Sequence, residues 1–168
     1  IEVIQQYFED GKDVGLAMQY LEEEQPLGRG GAIRQGLKAL PSNVEHFVAT
    51  NGDVVTNQSL QPMFALHNAN PGALATVMLT QLVSPYGVAN VDAEKRISSF
   101  TEKPVLDHWI NGGVYVFTRA VYGLLPEVGD HEITTFPQLA EQGKLLGFRS
   151  RAFWRSVDTA KDLTELSA

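Results

Sequence analysis

The chain has 168 residues, 43% of them hydrophobic and 20% charged, a composition that suits one packed globular domain and excludes a disordered chain. Thirteen Lys and Arg against twenty Asp and Glu leave a net charge of −7, which argues against a nucleic-acid-binding face over much of the surface. There is no cysteine, so disulfides, thiolate catalysis and cysteine-based zinc sites are excluded. No apolar run is long enough to span a membrane and no signal-peptide pattern opens the chain; these leave the compartment open, and the expectation is a cytoplasmic protein without membrane partners.

Apolar residues at 1, 4 and 8 predict a helix ended by Asp10-Gly11. Val14 to Tyr20 reads as a strand, followed by a solvated acidic run, Glu22-Glu23-Glu24. Leu27-Gly28-Arg29-Gly30-Gly31 reads as a loop, and behind it Ala32, Ile33, Gly36, Leu37 and Leu40 recur at helical spacing until Pro41. His46 to Thr50 is an apolar strand ending at Asn51-Gly52-Asp53. A helix is predicted from about Ser59, with Pro62 in its first turn, then a buried strand over Ala73–Thr80. Tyr86–Val91 and Arg96–Glu102 predict a hairpin around Asp92–Lys95. Val114–Phe117 is a further strand, short helices cover 119–125 and 134–142, and strands cover Lys144–Ser150 and Ala152–Arg155. The last helix begins near Thr159, where Thr159 and Asp162 form a capping-box pattern. Alternating helices and strands predict an α/β domain with a mixed, mostly parallel sheet covered on both faces.

In such a sheet ligands gather beyond the carboxyl ends of the strands, and the chemically loaded segments follow strands. Glycines before a helix let backbone amides approach an anion or a flat base, although Gly28, Gly30 and Gly31 have neither P-loop nor G-x-G-x-x-G spacing. Asp53 at a strand end is a hard oxygen ligand suited to Mg²⁺; Asn51-Gly52 is equally a tight-turn pair. Glu102 can accept from sugar hydroxyls and Lys103 can neutralise a phosphate, or the two are an exposed charged pair. Asn111 can both donate and accept, or Asn111-Gly112-Gly113 is a turn before a strand. In an extended Ser156-Val157-Asp158 segment, residues 156 and 158 point to one side, so Asp158 can face Asp53 or cap the last helix. The four histidines show no metal-ligand spacing; His46 lies in a strand and His67, His108 and His131 are expected at the surface.

In order, Glu24-Gln25-Pro26-Leu27-Gly28-x-Gly30-Gly31-Ala32-Ile33, Asn51-Gly52-Asp53, Tyr86-Gly87-Val88, Phe100-x-Glu102-Lys103-Pro104, Ile110-Asn111-Gly112-Gly113-Val114-Tyr115 and Trp154-Arg155-x-Val157-Asp158-Thr159 resemble the sugar-1-phosphate nucleotidyltransferases. The subgroup is similar to the mannose-1-phosphate guanylyltransferases and the glucose-1-phosphate thymidylyl- and cytidylyltransferases. The resemblance implies a Rossmann-like three-layer α/β/α fold and one nucleotidyltransferase domain over 1–168. It implies that a sugar 1-phosphate, best matched by mannose 1-phosphate, attacks a nucleoside triphosphate, best matched by GTP, giving a nucleotide-sugar and pyrophosphate. By the same resemblance Leu27, Gly28, Gly31, Asn51 and Gly52 contact the nucleotide, Gly87, Glu102 and Asn111 hold the sugar, Lys103 meets the sugar phosphate, and Asp53 and Asp158 bind Mg²⁺.

Three features depart from that pattern. Arg29-Gly30 stands where many members have Thr-Ala or Thr-Gly. Many members carry the second metal aspartate where Ser156 stands, whereas others follow W-x-x-[VM]-D-T, which places it at Asp158. The family's first strand and its G-G-x-G-T-R-L loop do not occur here, so the 168 residues are expected to be a fragment that is inactive alone, and to aggregate or pair with another chain through an open sheet edge. Homo-oligomerisation is compatible with all of this. The alternative function is a non-catalytic nucleotide-sugar-binding or regulatory homologue of the same fold.

Overall fold

A computed structural model of the chain describes residues 2–167. The described residues fall into two compact units, one holding residues up to 45 with 119–138, the other holding 46–118 with 139 onward. The chain passes from one to the other after residues 45, 118 and 138, the last within α4 (Thr135–Glu141).

The first unit begins with α1 (Glu2–Phe8). A 3₁₀ turn, Lys12–Val14, follows between Gly11 and Gly15, both in left-handed backbone (φ 81° and 72°). The strand predicted over Val14–Tyr20 is absent: residues 16–27 have no regular structure, because no described strand pairs with them and Val14 and Leu16 stay exposed. Next comes α2 (Gly28–Ala39), which starts earlier than expected and takes the glycines into its first turn. Arg119 closes the other end of α2. Its guanidinium donates to the carbonyls of Leu37, Leu40, Pro41 and Val44, supplying the partners that a helix C-terminus lacks. The helix predicted over 119–125 is a 3₁₀ segment, Arg119–Leu124.

The second unit is built on a four-stranded sheet in the order β1–β6–β3–β7, formed by β1 (His46–Thr50), β3 (Ala75–Val83), β6 (Val105–Thr118) and β7 (Leu145–Arg149). The expected mostly parallel pairing is not what forms. β1–β6 and β6–β3 are antiparallel and only β3–β7 is parallel. The reason is β6: β1, β3 and β7 share one direction, but the 14-residue β6 runs the opposite way between β1 and β3. Burial follows that order. Residues 75–78 of β3 and 112–117 of β6 are buried in unbroken runs, as strands covered on both faces must be.

Two small sheets flank this one. β2 (Val54–Thr56), a strand that the sequence reading did not separate from the turn before it, pairs antiparallel with β8 (Trp154–Ser156). The predicted hairpin forms from β4 (Val88–Val91) and β5 (Ile97–Thr101), exposed along its whole length. α3 (Gln61–Asn68) has Pro62 in its first turn and α5 (Ala160–Leu166) carries the predicted capping box. Met63 of α3 packs with Met78, Val114 and Val116, and Val48, Val54, Phe148 and Trp154 close around them. His67 is not at the surface as expected but 2% exposed, its ring held by the hydroxyls of Thr76 and Thr118 at 2.8 Å each. His131 is likewise buried, edge-on to Phe136. Among the described residues no helix is long and apolar enough to cross a membrane.

Candidate active site

The site residues expected from the sequence divide between the two units. Leu27, Gly28 and Gly31 belong to the first, and all the others to the second.

In the first unit the glycines serve close packing of α2. A Cβ at Gly28 would meet the backbone of Gly129 at 2.8 Å, and Gly28 has φ +72°. A Cβ at Gly31 would meet the Glu127 carbonyl oxygen at 2.5 Å. The amides of Gly30 and Gly31 donate to the Gly129 carbonyl at 2.9 and 3.3 Å, and the Arg29 amide donates to Asp130 Oδ1 at 3.0 Å. Asp130 also receives the Arg29 guanidinium on both oxygens, and these hydrogen bonds hold its carboxyl below the usual aspartate range. Three amides of the first helical turn therefore have internal acceptors.

In the second unit the expected residues fall in two groups, one around the turn leaving β1 with residues 111–113 and 156–158, the other Gly87 with Glu102 and Lys103 at the β4–β5 hairpin. Asn51, Gly52 and Asp53 form the turn leaving β1, with the Val54 amide reaching back to the Asn51 carbonyl at 3.5 Å. The turn is tied to β6 through the Asn51 amide, which donates to the Gly113 carbonyl at 2.8 Å. Gly113, at φ +71°, makes room for the Asn51 side chain: a Cβ there would lie 3.0 Å from Asn51 Nδ2. Asn111-Gly112-Gly113 is not a turn before a strand but an interior stretch of β6, where the β3–β6 register shifts between Val77 and Leu79. The Asn111 amide is oriented from both sides, its oxygen accepting from the Gly113 amide and its nitrogen donating to Tyr115 Oη, each at 2.9 Å.

The turn at Asp53 enters β2, and β2 is what carries it to the end of the chain. Val54 pairs with Ser156, and the ladder continues as the Val157 amide donates to the Asp53 carbonyl at 2.8 Å. The backbone of Asp53 therefore lies alongside residue 157, next to Asp158. Trp154 fixes β8 against the main sheet by donating its indole N–H to the Gly112 carbonyl at 2.8 Å. Ser156 Oγ donates to Asp158 Oδ2 at 3.0 Å, so the two candidate positions for the second aspartate face the same side, and the serine supports the carboxylate. Asp158 does not cap α5; Thr159 does. Asp158, Ser156, Arg155 and Trp154 also line a cleft of about 840 Å³ together with Thr80 and Ile110.

Glu102 and Lys103 lie where β5 turns into β6. A Cβ on Gly87 would meet Glu102 Oε2 at 2.8 Å and would also strike the Phe100 ring, so only glycine lets the hairpin backbone lie this close to that carboxylate. Lys103 has φ 47°, left-handed backbone for a non-glycine residue directly before Pro104. That conformation costs on the order of 1–3 kcal/mol and concentrates at functional sites. Sequence reasoning missed the tethers: Ser156 on Asp158, Trp154 on Gly112, and an Arg155 pairing with α5. Their one visible trace is the Thr159–Asp162 capping pattern.

Among the described residues no group of three or more His, Cys, Asp or Glu side chains is arranged to hold a metal. The ligands expected for a cation are the carboxylates of Asp53 and Asp158, and the structure joins their segments through the backbone alone. That donor set suits Mg²⁺, which binds through one or two carboxylates and fills its shell with water and phosphate oxygens.

The family model described as Nucleotidyl transferase matches residues 2–168. The chain belongs to the nucleotidyl transferase family, in agreement with the motif resemblance. Its relatives include the mannose-1-phosphate guanylyltransferase of Mycobacterium tuberculosis, 33% identical over 99% of this chain and 48% of that protein. The mannose-1-phosphate guanyltransferase of Pichia angusta is 34% identical over 90% of this chain and 43% of that protein. The chain thus spans about half the length of the curated relatives it matches. Among solved structures, HddC from Yersinia pseudotuberculosis superposes with a TM-score of 0.72 at 18% identity, covering 98% of this chain and 72% of that one. A putative glucose-1-phosphate thymidylyltransferase from Bacillus anthracis gives a TM-score of 0.70 at 19% identity, covering 98% and 70%. These likenesses define the fold as Rossmann-like α/β with a mixed sheet.

Proposed function

We propose that this chain forms part of an enzyme that transfers a nucleotidyl group from a nucleoside triphosphate to a sugar 1-phosphate, with GTP and mannose 1-phosphate as the pair. The observation that carries the reading is the Val157–Asp53 hydrogen bond, which sets the Asp53 backbone against the residue before Asp158, just past the carboxyl end of β1. Family membership supports the reaction class, and the relatives' names support the substrate pair.

The sugar phosphate oxygen attacks the α-phosphorus as the bond to the β-phosphate's bridging oxygen breaks, and pyrophosphate leaves with that electron pair. The nucleophile is already an anion at neutral pH, so no general base is required. The protein's work is in-line placement and neutralisation of two mutually repelling anions. Mg²⁺ held by Asp53 and Asp158 supplies part of that neutralisation when bound. Lys103 neutralises the sugar phosphate. Glu102 beside Gly87 accepts from sugar hydroxyls, and Asn111, whose orientation is already fixed by Gly113 and Tyr115, has a second amide hydrogen to offer. Asn51 and Gly52 are the nucleotide-side residues of the second unit.

A second reading, a non-catalytic nucleotide-sugar-binding homologue, draws on the first turn of α2, where the amides of residues 29–31 are already satisfied internally. Pyrophosphate release by the complete polypeptide containing this chain separates the two. The test crosses GTP, dTTP, CTP, UTP and ATP with mannose and glucose 1-phosphate. Release with at least one pair, highest with GTP and mannose 1-phosphate, is expected. GDP-mannose binding without release for any pair favours the binding protein.

A further inference from the structure

Asp158 is exposed and stands on the short link between β8 and α5. The seven-residue α5 has no buried residue, and its Leu163 is 60% exposed, so apolar packing does not set how it leaves the sheet. A helix of that length is also unstable by itself in water. Polar contacts must fix the link, and they centre on one side chain. The Arg155 guanidinium, on β8, donates to Asp162 Oδ1 at 2.8 Å and to the Glu165 carboxylate, both on α5. The other Asp162 oxygen accepts from the Thr159 amide at 2.9 Å and from its hydroxyl at 2.7 Å, and Thr159 Oγ1 accepts from the Asp162 amide at 3.2 Å. Asp162 is thus shared between the residue just after Asp158 and the strand residue three before it. From the other side Ser156 holds the Asp158 carboxylate and Val157 holds the Asp53 backbone.

We propose that Arg155 is a positioning residue: acting through Asp162 and Thr159, it fixes the link that carries the Asp158 carboxylate, which would serve a divalent cation. This rests on the reading of Asp53 and Asp158 as cation ligands. The chemistry is that of an outer partner orienting a metal ligand, whose removal typically weakens metal affinity 10–100-fold. Both bonds leave one guanidinium nitrogen, so lysine at 155 keeps the charge and, with three N–H donors on one nitrogen, can meet the same two carboxylates.

Mn²⁺ alone, titrated into the complete polypeptide containing this chain and followed by water-proton relaxation, tests the inference, with far-UV circular dichroism on every variant. Arg155→Ala is expected to weaken Mn²⁺ binding about tenfold with helical content retained, and Arg155→Lys to recover most of it. In an Asp158→Asn background, Arg155→Ala is expected to change nothing further, because its effect passes through that carboxylate. If Asp158→Asn weakens binding but Arg155→Ala does not, or if Arg155→Ala acts equally with and without Asp158, the positioning role is overturned and the site reading stands. If the unmodified chain shows no Mn²⁺ enhancement, or Asp158→Asn leaves it intact, the site reading fails and the inference fails with it.

Discussion

Gly113→Ala is the sharpest test of how the fold holds its site. The residue sits at φ +71°, where an alanine costs about 1–2 kcal/mol. Its Cβ would also stand 2.9 Å from Val54 Cγ2 and 3.0 and 3.2 Å from Asn51 Nδ2 and Cγ. Those atoms lie in the turn and strand that carry Asp53, and overpacking of this kind costs about 1–3 kcal/mol more. The expected loss is therefore about 2–5 kcal/mol, which at a urea m-value near 2 kcal/mol/M lowers the midpoint by about 1–2.5 M. Trp109 and Trp154 both lie in the sheet-bearing unit, so tryptophan fluorescence during urea unfolding reads the relevant transition. Gly123→Ala is the control, with ordinary φ and nothing within 4 Å of its Cβ, and is expected to change stability by less than about 0.5 kcal/mol. A Gly113→Ala midpoint within about 0.3 M of the unmodified protein would show that neither the left-handed backbone nor the contact with Asn51 is as described.

Gly36→Ala, inside α2 with an open Cβ position, is expected to stabilise the first unit by about 0.5–1 kcal/mol; a loss in thermal unfolding contradicts the open space. Lys103→Ala is expected to raise KM for the sugar phosphate far more than for the nucleotide, and Lys103→Gly to do the same while unfolding about 1 kcal/mol later, since glycine relieves the φ of 47°; a selective loss of nucleotide affinity reassigns the residue. On acidification, two groups act in separate windows. Burial, and then the charge of His46, lower the His67 pKa below 6.5, so its contribution is complete above about 6.5 and declines as the pH falls from there toward the lowered folded value. Asp162, lowered from 3.8 to about 2 by the Thr159 and then the Arg155 hydrogen bonds, keeps its contribution above about 4 and loses it only toward pH 2. Stability curves of His67→Gln and Asp162→Asn check this: His67→Gln should flatten the fall that begins below pH 6.5, and Asp162→Asn should change the slope of the curve only below about 4.

Local chemistry made some elements readable and long-range pairing hid others. The 46–50 strand, the 88–101 hairpin, Pro62 in α3 and the Thr159 cap rest on turn residues, alternation and capping, all local. The antiparallel β6 and the β2–β8 pair depend on partners far along the chain. Val54-Val55-Thr56 is too short to announce itself, and Asn111-Gly112-Gly113 imitates a turn while lying within a long strand. His67 resembled a surface residue because its partners, Thr76 and Thr118, reach it only through the sheet. The site residues were legible as an ordered set of motifs; Arg155, Ser156 and Trp154, which tether them, carry meaning only once the strands are paired.

The claim beneath all of this is that Asp53 and Asp158 act on one cation. Pyrophosphate release from GTP and mannose 1-phosphate by the complete polypeptide, measured for Asp53→Asn, Asp158→Asn and the double variant at saturating Mg²⁺, tests it most directly. Each single substitution is expected to lower kcat on the order of 10²–10³-fold, and the double to be little worse than the more damaging single, as for groups that act as a unit. Turnover near the unmodified rate for either single variant, or a double variant whose loss equals the product of the two, contradicts a shared ion.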